Sequence, residues 1–317
     1  MRHDAVVSHL PRDTRIFVAG HRGLVGSAVM RHFETQGFTG LITRTRAELD
    51  LLDGHAVEAF FASERPVVVV LAAAKVGGIL ANATYPADFL YQNLMIAANV
   101  IQAAHRHDVQ RLLNLGSSCI YPKHAPQPMP ESALLTGPLE PTNRAYAIAK
   151  IAAIELCDAY REQHGRSYVS AMPTNLYGPG DDFDLETSHV LPALIRKAVE
   201  AQEDGAPNLT VWGTGQPKRE FLFVDDLADA CLFLLEHYDA PGPINVGTGS
   251  DVSIKRLAEL VCEIVGFDGE LVFDTTKPDG TPRKLLDVTR LSAMGWQTST
   301  PLDEGIERTV RWYRESR

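Results

Sequence analysis

Three glycines stand between an apolar run and an amphipathic run near the start of the chain. The run "RIFVAG" (15–20) is typical of a buried strand, and "GLVGSAVMRHFETQG" (23–37) is typical of a helix. Gly20, Gly23 and Gly26 fall at the junction, where glycine allows a tight turn and lets backbone N–H groups approach a pyrophosphate. The start of the helix adds unpaired N–H groups and the positive end of its dipole. This feature predicts a strand–turn–helix unit that binds a dinucleotide.

Strand-like and helix-like segments keep alternating up to about residue 177. Alternation with short links predicts a parallel sheet joined by right-handed crossovers. We expect Asp53 to cap one of the helices. The strand-like runs are 40–45, 67–74, 111–118 and 167–178, and the helix-like runs are 53–65, 86–108 and 143–164.

The expected fold class is therefore α/β, a Rossmann-type doubly wound parallel sheet with a smaller, mixed α/β C-terminal substrate lobe. We assign residues 15–177 to the dinucleotide-binding domain, with a return segment at about 221–249. Segments 178–220 and 250–317 form the substrate-binding lobe, and residues 1–14 form a polar leader.

Composition excludes several classes of protein. The 40 acidic against 30 basic residues argue against a nucleic-acid or anionic-membrane partner. The longest apolar run, 66–74, is far shorter than the roughly 18 residues of a membrane span. The four cysteines are far apart and form no CxxC, so we expect neither a disulfide framework nor a metal site. A cytoplasmic protein is the expectation that follows.

The end of the second predicted strand indicates which dinucleotide is bound. An NAD site usually has an acidic residue there, which bonds the ribose 2′-hydroxyl. This chain has "TRTR" instead, with Arg44 and Arg46, and Arg22 lies in the glycine loop. Because guanidinium groups match a 2′-phosphate, the sequence predicts NADP(H) rather than NAD.

A tyrosine and a lysine lie four residues apart in "YAIAK". On a helix, Tyr146 and Lys150 share one face. We expect the ammonium to lower the pKa of the phenol, so that Tyr146 can exchange a proton with a substrate oxygen. The hydroxyl of Ser117 or Ser118, after the fourth strand, can hold the same oxygen.

Five motifs together resemble the extended short-chain dehydrogenase/reductase family: "GHRGLVG", "GSSCIYP", "YAIAK", "PTNLYGP" and "REFLFVDDLA". Longer blocks, among them "LAAAKVGGI", "YPADFLYQN" and "KPDGTPRKLLDVTRL", resemble the members of that family that act on GDP-4-keto-6-deoxy-D-mannose. The resemblance covers about residues 15–315. It implies a homodimer that uses NADPH for a 3,5-epimerisation and then a 4-reduction, with GDP-L-fucose as the product.

The resemblance also implies roles for single residues. It makes Cys119 the base of the epimerisation and His189, in "TSHVLPAL", the acid. A thiol partly ionised by local positive charge can remove a proton, and imidazole titrates near neutral pH. For the reduction it makes Tyr146 the proton donor, assisted by Lys150 and by Ser117 rather than Ser118.

Cofactor and substrate contacts follow from the same comparison of motifs. The implied substrate contacts are Lys197, Trp212, Arg219 and Asp279. The implied cofactor contacts are Gly20, His21, Arg22, Gly23, Leu24, Val25, Gly26, Arg44, Arg46, Ala73, Leu115, Gly116, Ser117, Ser118, Lys150, Pro173, Thr174, Asn175, Leu176 and His189.

Other interpretations remain open at this point. The chain could be another nucleotide-sugar 4-reductase or epimerase of the same family, or a non-catalytic NADP-sensing protein. Asp225 and Asp226 are expected to cap a helix that begins near Asp226, and "HRHD" at 105–108 is expected to be a solvated helix end. The apolar rows of helices 86–108 and 143–164 can supply a dimer interface.

Overall fold

The computed structural model describes residues 9–185, 187–277 and 279–317, without the side chains of Ile79 and Leu80. The strands, in chain order, are β1 (Ile16–Ala19), β2 (Leu41–Ile42), β3 (Val68–Leu71), β4 (Arg111–Leu115), β5 (Ser167–Pro173), β6 (Asn175–Tyr177), β7 (Asn208–Trp212), β8 (Lys218–Arg219), β9 (Phe221–Phe223), β10 (Pro243–Val246), β11 (Val252–Ser253), β12 (Glu270–Asp274) and β13 (Arg283–Lys284). The helices are α1 (Leu24–Thr35), α2 (Gly54–Glu64), α3 (Ile79–Thr84), α4 (Pro86–Arg106), α5 (Arg144–His164), α6 (Val190–Glu203), α7 (Val224–His237), α8 (Ile254–Val265), α9 (Thr289–Ala293) and α10 (Leu302–Glu315).

Six strands form one parallel sheet in the order β10-β5-β4-β3-β1-β2. Alternate residues of each strand pack against opposite layers, as the pleat of a strand requires. Ile16 and Val18 pack with α1 and α7, whereas Phe17 and Ala19 pack with α2 and α4. Helices thus cover both faces, which explains why the strands are apolar throughout. The predicted doubly wound sheet is confirmed.

A second core lies in the C-terminal part of the chain. It contains the strand pairs β6–β9 and β7–β12 and the three-stranded sheet β11-β8-β13. Helices α6, α8 and α10 bury their apolar faces there, with Ile195, Leu257 and Ile306 each 0% exposed. Leu291 and Trp296, far along the chain, pack instead with the large sheet and α7. The division into two domains stays a hypothesis, and these two residues show where the cores interleave.

The two acidic residues at the start of α7 do not cap it, contrary to prediction. The helix begins at Val224, and its N-cap residue, Phe223, makes no side-chain capping bond. The Asp225 carboxylate pairs with Arg308 at 2.6 Å, and Asp226 accepts a bond from the Thr300 N–H at 3.0 Å. Both carboxylates therefore attach the C-terminal segment to α7. Asp53, by contrast, does cap α2.

Residues 1–8 of the predicted leader lie outside the described residues. The rest of it contacts the body of the protein: His9 Nδ1 lies 2.9 Å from Glu236, and the Leu10 N–H donates to the same carboxylate at 3.0 Å. The ligand atoms of His9, Glu236 and His237 lie within 4.8 Å of one another, and His9 and Glu236 already bond each other. None of the helices in the described ranges has the length and apolar character needed to cross a bilayer.

Candidate active site

A cavity of about 750 Å³ opens at the carboxyl ends of β1, β3, β4 and β5. Ligands of open α/β sheets bind at this edge, where loops leave the strands. Of the predicted cofactor contacts, all line the cavity except His21 and Arg22. The predicted contacts that line it are Gly20, Gly23, Leu24, Val25, Gly26, Arg44, Arg46, Ala73, Leu115, Gly116, Ser117, Ser118, Lys150, Pro173, Thr174, Asn175, Leu176 and His189.

The glycine loop leaves no room for side chains. A Cβ on Gly26 would lie 2.1 Å from the Gly20 carbonyl oxygen, and Gly20 itself has φ +88°. The Gly23 N–H closes the turn by donating to the Gly20 oxygen at 3.0 Å. Helix α1 begins at Leu24, so its free N–H groups face the cavity. This cradle fits the diphosphate of a dinucleotide.

The two arginines after β2 differ in their availability. Arg44 forms an ion pair with Glu64 at the end of α2 and lies over the Phe60 ring at 5.4 Å. Arg46 is exposed, lines the cavity, and makes no ion pair or hydrogen bond with the part of the chain that the structure describes. Arg46 is therefore the guanidinium that is free to meet a 2′-phosphate. The sequence alone did not separate the two.

Lys150 joins helix α5 to the end of β4. Its Nζ donates to the Leu115 carbonyl oxygen at 2.8 Å and lies 5.8 Å from the centre of the Tyr146 ring. Lys150 is 8% exposed, and burial lowers its pKa to about 8. Tyr146 lines the same cavity one helical turn earlier, beside Phe89.

The pKa of Tyr146 is raised, not lowered as the sequence predicted. Burial is the larger cause, and the nearby Cys119 adds to it. Removing water from around a phenolate costs more than an ammonium 5.8 Å from the ring restores. The phenol therefore stays protonated at neutral pH, which suits a group that gives a proton to a substrate oxygen.

Cys119 lies in a 3₁₀ turn that directly follows Ser117. The Cys119 N–H donates to the Ser117 hydroxyl at 3.4 Å, and the thiol residue is 8% exposed. Burial raises the pKa of the thiol, while the Ser117 hydroxyl, Lys284 and Lys150 act in the opposite direction. The predicted positive charges are present, but burial has the larger effect on the pKa of the thiol.

His189 lies at the N-cap of α6 and lines the cavity. The ring is accessible from the cavity, yet the surrounding protein removes enough water to lower its pKa. Asp182 opposes this shift and Lys284 reinforces it. The structure thus brings His189 to the same cavity as Ser117 and Tyr146.

The four predicted substrate contacts lie together outside the cavity wall. Trp212 is 59% exposed, with Lys197 and Lys277 at 5.2 and 5.3 Å from its ring. Asp279 fixes the following turn by accepting bonds from the N–H and hydroxyl of Thr214 at 2.6 and 2.8 Å. A broad aromatic face flanked by ammonium groups suits a nucleotide base joined to phosphates.

Two charged residues near the site were missed from the sequence. Lys284, at the end of β13, influences the titration of both Cys119 and His189. Asp181 lines the cavity; its Oδ2 is buried without a hydrogen-bond partner among the described residues, and burial raises its pKa to about 7. Both stand in irregular stretches, "TPRKLL" and "GPGDDF", where no periodicity marks a side chain as inward-facing.

Glu220, fully buried beside Arg219, ties three segments together. Its carboxylate accepts from the N–H groups of Thr248 and Gly249 at 2.7 Å each and of Leu286 at 2.9 Å. Its carbonyl oxygen accepts from the Asn175 amide at 2.7 Å. The residue therefore joins the segments of Thr248 and Leu286 to Asn175 at the cavity.

Comparisons with known proteins agree with this geometry. A model of the NAD dependent epimerase/dehydratase family matches residues 16–247. GDP-L-fucose synthase 1 of Arabidopsis thaliana is 60% identical over 97% of this chain and 95% of its own length. GDP-L-fucose synthase of Escherichia coli strain K12 is 57% identical over 95% and 97% of the two chains. A GDP-L-fucose synthetase from Naegleria fowleri, solved with NADP bound, has a TM-score of 0.93 at 31% identity, over 100% of this chain and 97% of that one.

Proposed function

The chain belongs to the NAD dependent epimerase/dehydratase family and, within it, to the GDP-L-fucose synthases, and on this premise we propose which residues perform each reaction. It is an NADP-dependent oxidoreductase that epimerises and reduces a GDP-sugar. The proposed substrate is GDP-4-keto-6-deoxy-D-mannose, and the proposed product is GDP-L-fucose. The observation that carries the assignment is that Ser117, Tyr146, Lys150 and His189 line one cavity, with Cys119 next to Ser117.

The epimerisation rests on Cys119 and His189. A ketone at C4 acidifies the hydrogens at C3 and C5, so each carbon can lose its proton to a base and regain one from an acid on the opposite ring face. The Cys119 thiolate takes the proton from carbon, and the electron pair moves to the C4 oxygen as an enolate. His189, which lines the cavity, supplies a proton to the other face.

The reduction rests on the residues of α5 and the end of β4. When bound, NADPH supplies the hydride that reduces C4. The Tyr146 phenol, held protonated by burial, gives its proton to the C4 oxygen. The Ser117 hydroxyl holds that oxygen, and Lys150 fixes the position of α5 through its bond to Leu115.

The predicted contacts to cofactor and substrate remain part of the proposal. The glycine loop and Arg46 hold the diphosphate and the 2′-phosphate of NADPH. Arg219, whose pKa burial lowers, and Lys197 meet the diphosphate of the substrate, and Trp212 covers its base. Partners of the enzyme are thus small molecules, and we propose no nucleic acid or membrane among them.

A homodimer in the cytoplasm completes the proposal. Helices α4 and α5 pack against each other, and they expose Tyr91 (60%), Leu94 (38%) and Ile148 (38%). Apolar side chains on two adjacent helices can be buried by the same pair from a second copy. A reducing compartment keeps Cys119 active as a thiol, and the four cysteines are free thiols.

The identity of the reaction product distinguishes this function from those of related enzymes in the family. The protein is incubated with NADPH and GDP-4-keto-6-deoxy-D-mannose, and the sugar released is identified by chromatography against standards. L-Fucose supports the proposal. A 6-deoxy sugar of unchanged C3 and C5 configuration would make the protein a simple 4-reductase, and no NADPH oxidation would point to a sensor.

A further inference from the structure

Lys284, at the end of β13, has no side-chain partner among the described residues. Its side chain is partly buried, and it makes no ion pair or side-chain hydrogen bond with the residues that the structure describes. The neighbouring lysines that are engaged serve as a contrast: Lys150 bonds Leu115, and Lys123 pairs with Glu140 at 2.9 Å. An ammonium left without a partner and partly out of water needs another source of stabilisation.

Packing fixes the end of β13 against the turn that carries Cys119. Leu286, two residues after Lys284, shares a buried cluster with Ile120 and Tyr121. Glu220 holds the same segment through the Leu286 N–H at 2.9 Å. Lys284 also pairs in register with Arg219 of β8, and Arg219 is one of the proposed substrate contacts. Lys284 is therefore next to this strand as well as near the turn that carries Cys119.

The charged groups around these residues are few. Cys119 is influenced by Lys284 and by Lys150 of α5, and it in turn influences Tyr146. Around Lys284, the thiol and Glu140 favour the ammonium, whereas Arg219 opposes it. Lys284 also influences His189. None of the described carboxylates forms an ion pair with Lys284.

We propose that Lys284 is a positioning residue whose positive charge stabilises the thiolate form of Cys119 against the opposing effect of burial. The inference rests on the proposed role of Cys119 as base. In the reaction the thiolate takes a proton from C3 or C5 and becomes a neutral thiol, while the negative charge moves to the C4 oxygen. Lys284 gains and loses nothing in this step; its ammonium stabilises the negative charge on sulfur before the transfer. A lysine from the substrate lobe thus activates a base of the sheet domain.

The test titrates Cys119 in the absence of substrate. The ultraviolet absorbance of the thiolate is followed against pH, and the same curve for Cys119→Ser is subtracted, so the other cysteines cancel. We expect Lys284→Met to raise the midpoint by about one pH unit or more, since a nearby opposite charge shifts a titration by roughly that amount. Lys284→Arg keeps the charge and should stay near the wild-type midpoint. Lys123→Met removes a lysine that is already paired and should leave the midpoint unchanged.

Exchange of the C3 and C5 hydrogens with solvent deuterium gives the second readout. In Lys284→Met the exchange should fall about tenfold near neutral pH and approach the wild-type rate as pH rises, because the thiolate then forms without help. Circular dichroism first shows that Lys284→Met and Lys284→Gln are folded. If either folded variant keeps the wild-type midpoint, the inference is overturned. A shifted midpoint without any change in exchange would instead reject Cys119 as the base, so the two hypotheses fail in different ways.

Discussion

Lys150 donates a hydrogen bond across 2.8 Å from its Nζ to the carbonyl oxygen of Leu115. This bond ties the helix that carries Tyr146 to the strand end that leads into Ser117 and Cys119. Because the two groups of proposed catalytic residues share this tie, they keep fixed positions relative to each other. The arrangement allows the reactions to be separated by single substitutions.

Cys119→Ser should nearly abolish the exchange of C3 and C5 hydrogens with solvent deuterium. A serine hydroxyl has far too high a pKa to replace a thiolate near neutral pH. Slow oxidation of NADPH should persist, with a 6-deoxy sugar of unchanged configuration as the product. Mass spectrometry in deuterated water measures the exchange, and exchange at the wild-type rate would return Cys119 to a packing role.

Tyr146→Phe should have the converse effect. Exchange at C3 and C5 persists, while NADPH oxidation falls by about 100-fold or more, because the C4 oxygen loses its proton donor. The absorbance of NADPH follows the reduction in the same sample that is used for exchange. Equal losses of exchange and reduction would show that Tyr146 serves the fold of the site rather than the proton transfer.

Arg46→Ala should weaken NADPH binding by about tenfold or more, since a charge-assisted hydrogen bond contributes roughly 1.5–3 kcal/mol. Arg44→Ala is the matched control: Arg44 is held by Glu64, so the loss should be smaller. Titration of both variants with NADPH and NADH measures the difference. Wild-type protein that binds NADH and NADPH equally would remove the role of the arginine.

The protein should sediment as a dimer at micromolar concentration. Ile148→Glu, or Leu94→Glu on the adjoining helix, should shift it to the monomer, because a charge would be buried in an apolar interface. Both side chains are exposed in one chain, so neither change disturbs the core. A wild-type monomer, or a dimer that survives both substitutions, would place the interface elsewhere.

Asp181→Asn should stabilise the fold more at about pH 8 than at about pH 5. The pKa of Asp181 is raised to about 7, above the ordinary value near 4, so the folded state holds a proton that the unfolded state has lost between these values. The contribution of Asp181 to the stability of the fold therefore decreases as pH rises and is lost above about pH 7. Raising a pKa by one corresponds to about 1.4 kcal/mol, and partial exposure to the cavity reduces the total, so we expect a difference of about 1 kcal/mol or more. Chemical denaturation at both pH values measures it; equal gains would contradict the buried carboxyl.

Local periodicity predicted the elements of the large sheet well. The alternation of apolar strands and amphipathic helices depends on near neighbours in sequence, and α1, α4 and α5 begin and end within a few residues of the prediction. The second predicted strand shrank from 40–45 to Leu41–Ile42, since β2 lies at the edge of the sheet and pairs only with β1. The lobe after residue 177 lacked such periodicity, and its small sheets depend on contacts between distant segments.

The sequence indicated which residues line the candidate site, but it did not predict the pKa values of their side chains. Motifs indicated Tyr146, yet its four-residue spacing from Lys150 suggested a lowered pKa for the phenol, whereas burial raises it. The burial of a side chain depends on the whole fold, which a spacing of four residues does not contain. For the same reason the pairing of Arg44 with Glu64, twenty residues away, was not foreseen.

The bonds of Glu220 set rules for building chimeras from related enzymes. An engineer who replaces the predicted substrate-binding segments would cut the chain between residues that Glu220 joins. A donor segment that brings its own residue 220 must also bring loops that present N–H groups as Thr248, Gly249 and Leu286 do. Crossover points that keep these positions from one parent should yield folded hybrids more often than cuts placed at the apparent domain boundary.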